Sequence, residues 1–305
     1  MTVVLAGRTL PNPIIAASGT FGHGDELAAL CPPAGLGAVT AKSVAIFSSE
    51  GNPPLRVVEA PGGGMLNSVG LPGPGVDVWI AEDLPALEAH RARVISSIWG
   101  RSVADFEKAA LALDAVQDRL VAVEVNLSCP NVEARADVFA HSAESTRDAM
   151  RVVTEVLSRV PVFAKLSPNV TDIVAIASAA VDAHAAGVTL INTMMGLLID
   201  PTTRTPRLGA GGGGLSGAPV KPVALRMVHD VARAHPDLPI IGTGGVTTGA
   251  DAAEMLLAGA TAVGVGTATF LDPRATLRIV DELESWCAHH GVTRVRDLTG
   301  GLHND

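Results

Sequence analysis

Lysine is scarce in this chain, and where it stands is informative. Positive charge comes from eighteen arginines and only four lysines, Lys42, Lys108, Lys165 and Lys221. Lys42 follows Ala38-Val-Thr-Ala41 and Lys165 follows Val162-Phe-Ala164, so each closes a short apolar run. A lysine so placed either snorkels to solvent or holds a cation for an anionic ligand or an electron-rich ring. The chain's preference for arginine elsewhere favours the second reading. Cys129 is the other reactive candidate, in Val125-Asn-Leu-Ser-Cys-Pro-Asn131. A lone cysteine is most often a small buried hydrophobe. Just past an apolar run, flanked by Asn126 and Asn131, it can instead act as general base or nucleophile if its pKa falls from the ordinary value of about 8.5. No histidine lies near it in sequence, so a histidine-activated cysteine hydrolase is not supported.

Two glycine pairs point to a phosphate. Gly242-Thr-Gly-Gly245 and Gly264-Val-Gly-Thr267 both end apolar runs, and Gly213-Gly-Leu-Ser-Gly217 precedes a helical pattern. Glycine lets backbone N–H groups approach an anion closely. Each turn alone is a weak signal, since tight turns need glycine anyway.

These residues must be held by something, and the hydrophobic pattern says what. Apolar, β-branched runs occur at Pro13–Ser18, Ala38–Val44, Arg93–Trp99, Val121–Ser128, Val162–Pro168, Gly187–Thr193, Pro239–Gly245 and Ala262–Ala268. Helical stripes lie between them, at Ser102–Arg119, Asp172–Ala186, Lys221–Ala234 and Thr248–Ala258. The last has Thr247 or Thr248 as a possible N-cap and stops at Gly259. Eight strand–helix units are the count of a (β/α)8 TIM barrel, whose site is built at the carboxyl ends of the strands. Chance would place about 0.3 of the four lysines among the roughly 24 strand-end positions of such a barrel; Lys42 and Lys165 are both there. The glycine pairs then fall after strands seven and eight, where this fold often binds phosphate. A doubly wound open sheet wants G-x-G-x-x-G after its first strand, and Ser18-Gly-Thr-Phe-Gly-His-Gly24 does not fit. Ser48–Val76 and Leu197–Pro222 are rich in Gly and Pro and too long for plain connectors, so they read as functional or disordered insertions at the carboxyl face. No linker divides the chain, and residues 1–305 read as one domain.

Composition excludes several classes. The 305 residues carry 22 basic and 31 acidic side chains, a net charge of −9, with six Phe, three Trp and no Tyr. That is a poor nucleic-acid binder, without a basic surface or stacking platform. A 48% hydrophobic content excludes disorder. No run approaches the roughly 18 to 20 apolar residues of a membrane span, and the N-terminus lacks a signal-peptide pattern. The protein reads as soluble and cytoplasmic. Three separated cysteines and no H-x-x-x-H pattern give no metal site and no iron–sulfur site in this chain.

Taken together, these residues resemble class 1 dihydroorotate dehydrogenases. The likeness runs from about Ala16 to Pro273 and is carried by Ala41-Lys-Ser-Val44, Asn67-Ser-Val-Gly-Leu71, Asn126-Leu-Ser-Cys-Pro-Asn131, Ala164-Lys-Leu-Ser-Pro168, Ile191-Asn-Thr193, Gly213-Gly-Leu-Ser-Gly217, Gly242-Thr-Gly-Gly-Val246 and Val265-Gly-Thr267. The resemblance implies an FMN enzyme oxidising dihydroorotate to orotate in pyrimidine synthesis. It implies Cys129 as the base that takes the C5 proton while hydride passes from C6 to the flavin. Lys42, Asn67, Ser68, Val69, Gly70, Leu71, Asn126, Asn192 and Thr193 would meet the substrate. Ser18, Lys42, Ser43, Ser97, Asn126, Lys165, Ile191, Gly217, Gly244, Gly245, Gly266 and Thr267 would meet FMN, with Lys165 beside the ring. Cys in place of Ser at the base position and the absence of an N-terminal extension separate it from the membrane-associated class. Asn192–Pro206 is most like the NAD-dependent B subtype, which implies a homodimer core and a partner subunit carrying FAD and a 2Fe–2S cluster. The chain departs from the family in having Ser97 where the third strand usually carries Asn, Met195 where the B subtype often has Lys, and Pro72-Gly73 in place of a more polar pair. The alternatives are a fumarate-reducing class 1 enzyme, a non-redox barrel enzyme with Lys165 as Schiff-base lysine, and a binding subunit with a degenerate site.

Overall fold

In the computed structural model, residues 1–127 and 138–303 are described. The eight apolar runs form eight parallel strands: β1 (Ile14–Ala16), β2 (Ala38–Thr40), β3 (Val94–Ile98), β4 (Ala122–Asn126), β5 (Val162–Lys165), β6 (Gly187–Leu190), β7 (Ile240–Thr243) and β8 (Ala262–Val265). They pair in chain order, and β8 closes on β1 through Val263–Ile14, Gly264–Ile15 and Val265–Ala16. The fold is a (β/α)8 barrel, as the strand count predicts. Every strand residue is buried, which is what parallel strands covered by helices require.

The surrounding helices are α1 (Leu84–Ala89), α2 (Val103–Leu113), α3 (Ala143–Val156), α4 (Ile173–Asp182), α5 (Lys221–Ala234), α6 (Gly249–Ala258) and α7 (Ala275–His289). The stripe Phe106, Ala109, Ala110 and Leu113 is the buried face of α2. Ser102 caps this helix in a capping box with Asp105, and the predicted helix end at Arg119 is a tighter 3-10 turn over Asp114–Arg119. Thr248, not Thr247, caps α6, accepting from the Asp251 N–H.

The two Gly- and Pro-rich insertions are not disordered and not independent. Val57–Ala60 and Gly64–Asn67 from the first pair with Gly213–Gly217 and Met194–Gly196 near the second. Together they make one four-stranded antiparallel sheet, ordered 194–196, 213–217, 64–67, 57–60. Its register sets Asn67 opposite Gly214 and Gly64 opposite Gly217. The sheet has its own small core of Val58, Ala60, Leu66 and Leu208. Gly62 and Gly63 both sit at φ 73°, the left-handed geometry that turns the 57–67 hairpin.

This small core is separate from the barrel's, and it generates a test. Leu66→Ala removes the best-buried side chain of the sheet and is expected to cost about 2–4 kcal/mol. Hydrogen exchange should accelerate in 57–67 and 213–217 while the barrel strands keep their protection.

Candidate active site

The carboxyl ends of the barrel strands and the small sheet enclose a cleft of about 630 Å³. Ser18 comes from the turn after β1, Lys42 and Ser43 from beyond β2, and Asn126 and Lys165 close β4 and β5. Ile191, Asn192 and Thr193 follow β6, Gly244 and Gly245 follow β7, and Gly266 and Thr267 follow β8. The small sheet and its loop supply Asn67, Ser68, Val69, Gly70, Leu71 and Gly217. Cys129 lies outside the described residues.

A hydrogen-bonded chain crosses the barrel mouth. Ser18 Oγ donates to the Ala41 carbonyl at 2.9 Å and lies 3.4 Å from Ser43 Oγ. Ser43 Oγ pairs with Ser97 Oγ at 2.8 Å and accepts from Asn126 Nδ2 at 3.2 Å. Asn192 Nδ2 donates to Asn126 Oδ1 at 3.4 Å, and Asn192 Oδ1 accepts from the Thr193 N–H at 2.8 Å. Ser97, expected among the cofactor contacts, is fully buried beside Ser43 and does not line the cleft wall. Its hydroxyl supports Ser43 from below.

The cations sit in different surroundings. Lys165 is 7% exposed, and its Nζ lies 3.4 Å from Glu124 Oε1, with Glu124 itself 2% exposed. Glu124 escapes a search of strand ends, yet strand alternation puts it on the same face as Asn126, two residues on. Lys42 lines the cleft beside Gly19, where a Cβ would come within 3.2 Å of its Nζ. Behind it lies His23, whose ring burial pushes the imidazole pKa down. Glu26 opposes that shift, the Lys42 cation adds to it, and the Pro72 carbonyl opposes it.

Two asparagines with no sequence signal of their own hold the cleft's covering loops. Asn52 donates from Nδ2 to the Ser68 carbonyl and from its backbone N–H to Val69, both at 3.1 Å. Asn169 donates to the Thr193 carbonyl at 3.1 Å and accepts from the Met195 N–H at 2.8 Å. Both line the cleft.

At the β7–β8 end the backbone itself is the wall. Gly245 has φ 75°, and a Cβ there would fall 2.6 Å from Lys221 Cβ. Gly217 has φ 91°, with a Cβ position 2.8 Å from the Gly63 carbonyl oxygen. No other residue fits without movement, so glycine backbone without side chains lines this end of the cleft. Thr267 Oγ1 donates to Ser216 Oγ at 2.8 Å and ties this wall to the small sheet. Behind it, Asp251 takes Lys221 Nζ at 2.6 Å, Thr247 Oγ1 at 2.7 Å and the N–H groups of Thr247 and Thr248 at 2.9 Å. Burial pushes the Asp251 carboxyl up, but Lys221 and the Thr247 and Thr248 donors outweigh it and hold the pKa at about 2.

The barrel, the glycine turns after strands seven and eight and a cation-bearing, amide-rich floor together give a cleft at the face where (β/α)8 enzymes build their active sites. The chain belongs to the dihydroorotate dehydrogenase family, which it matches over residues 1–286. It is 44% identical to the dihydroorotate dehydrogenase B (NAD(+)) catalytic subunit of Geobacter sulfurreducens, over 99% of this chain and 98% of that one. The corresponding subunits of Alkaliphilus metalliredigens and Desulforudis audaxviator are each 45% identical, over 99% of this chain and 98% and 97% of theirs.

The Asp251 network predicts a pH response. A carboxyl whose folded pKa lies below its unfolded value stabilises the fold above the unfolded value and loses that contribution as pH falls through the folded one. For Asp251 the loss runs from 3.8 down to about 2. Asp251→Asn should lower the Tm at pH 7 and, in acid melts, flatten the fall of stability across that window.

Proposed function

We propose that this chain oxidises dihydroorotate to orotate with FMN, in pyrimidine synthesis, and that it does so as a single-domain catalytic subunit in the cytoplasm. The carrying observation is the end-to-end likeness to B-type catalytic subunits, set on a cleft whose two ends differ in chemistry. The β7–β8 end suits a phosphate-bearing cofactor, because Gly217, Gly244 and Gly245 line it with backbone and no side chain, held there by close packing on Gly63, Ala224 and Lys221. Gly266, Thr267, Ser18, Ser43 and Ile191 would complete that hold, and Lys165 would present its cation to the ring. FMN, when bound, supplies the acceptor for a hydride.

The remaining residues act on the substrate. Lys42 is the charge for an orotate-type carboxylate. Asn67, Asn126, Asn192 and Thr193 offer the donors and acceptors that the amide edges of the pyrimidine ring require. Ser68, Val69, Gly70 and Leu71, braced by Asn52, would cover it and exclude water. Cys129, as thiolate, would remove the C5 proton. Lys165 as a Schiff-base lysine is not favoured, since its amine lies against Glu124.

The relatives' printed names include NAD(+) and the words catalytic subunit. On that basis the electrons leave through a second subunit carrying FAD and a 2Fe–2S cluster, joined to a homodimer of this chain. Among the described residues no helix is long and apolar enough to cross a membrane.

Purified protein should be yellow with FMN. Cys129→Ala should keep the flavin and lower dihydroorotate turnover at neutral pH by about 10²–10⁴-fold, measured by orotate absorbance with an artificial acceptor. A colourless protein that takes up no FMN, or undiminished turnover in Cys129→Ala, overturns the reading. Gly245→Ala should lose FMN on gel filtration that the parent chain retains.

A further inference from the structure

A (β/α)8 barrel fills its interior with layers of apolar side chains. A buried carboxylate in this interior departs from that rule. Glu124, in the middle of β4, is 2% exposed. Its Oε2 accepts from Thr189 Oγ1 on β6 at 2.9 Å. Its Oε1 is buried without a hydrogen-bond partner, and Lys165 Nζ on β5 stands 3.4 Å away. The strand register explains the meeting. Lys165 pairs with Asn126 on one side and Thr189 on the other, so three neighbouring strands aim Glu124, Lys165 and Thr189 at one point below the cleft floor. A carboxylate is costly at this depth unless a cation offsets it, and removing either partner leaves an uncompensated buried charge.

We propose that Glu124 is a positioning and charge-balancing residue for the cofactor: it fixes the Lys165 amine under the flavin ring and offsets its positive charge while the ring is neutral. The proposal rests on the FMN reading of the cleft. A flavin that takes up two electrons and one proton gains a negative charge. Lys165 then lies between two anions, and Glu124 competes for it. The potential of the flavin is therefore set by the pair rather than by Lys165 alone, and a neutral residue at 124 makes reduction easier.

Glu124→Gln keeps the shape and an acceptor for Thr189 while removing the charge. In the FMN-loaded protein the midpoint potential, measured by dye-linked photoreduction, should move to a more positive value. A residue that merely supports the fold would lower the Tm without that shift, so an unchanged or more negative potential overturns the proposal. A second measurement needs no cofactor. In flavin-free protein Glu124→Gln should lower the Tm, and adding Lys165→Met should recover part of the loss; no recovery means that the two side chains do not act as a pair. Wild-type protein that takes up no FMN overturns the cofactor role and the reading beneath it, while the melting cycle still decides the pair.

Discussion

A parallel barrel brings eight strand ends to one mouth while sealing its interior from water. Every polar side chain turned inward there must find its partner on a neighbouring strand, since an unmade hydrogen bond or an uncompensated charge at that depth costs more than most packing defects. The structure meets this demand twice. Ser18, Ser43, Ser97, Asn126 and Asn192 form one chain of hydrogen bonds running from beyond β1 to beyond β6. Below it, Glu124, Lys165 and Thr189 form a charged cluster across β4, β5 and β6. Both fix side chains before any ligand arrives, and preorganised groups do not have to be reoriented during a reaction.

The roof obeys a different constraint. Two segments some 150 residues apart form one sheet over the cleft, and its glycines let backbone lie against backbone and against barrel residues. Gly214 stands where a Cβ would collide with the Thr193 side chain, and Gly213 where it would collide with the Asn67 carbonyl. Because the sheet's apolar core is separate from the barrel's, its stability is local and tunable without loosening the scaffold. Among the described residues, polar ties between the two include Asn169 to Met195 and Thr267 to Ser216.

These differences explain what could be read from the residues alone. All eight barrel strands were legible because a parallel strand buried on both faces is a continuous β-branched run. The start of α6 was legible to within one residue, since Thr247 and Thr248 are both capping types and Thr248 is the cap, whereas the helical stripe read to Arg119 leaves α2 at Leu113. The small sheet was not, since pairing Asn67 with Gly214 leaves no local trace in Gly-rich sequence. Chemical type at strand ends brought most of the cleft's polar residues to notice. It passed over Glu124 because an acid in mid-strand has meaning only once its neighbour across the sheet is known. Asn52 and Asn169 act through loop carbonyls and N–H groups, which no residue-type pattern encodes.

The scarcity of lysine has a structural counterpart. Arginine serves the rim, where its fork can meet a carboxylate in solvent, as in Arg119 with Glu88, Arg226 with Asp230 and Arg294 with Asp297. Such pairs contribute little. Lys165 and Lys221 stand instead in confined places, each against a carboxylate of a neighbouring element, Glu124 in the barrel and Asp251 behind the glycine cradle. A compact ammonium on a narrow stem suits a slot between strands that a planar guanidinium would not enter without displacing its neighbours. Lys42 completes the set at the cleft wall, and Lys108 alone is an ordinary exposed lysine. The acidic net charge of −9 is therefore no obstacle to an anionic ligand. Exposed charges beyond a Debye length of about 10 Å are screened, whereas a cation on the cleft wall acts at contact distance in a medium of low dielectric.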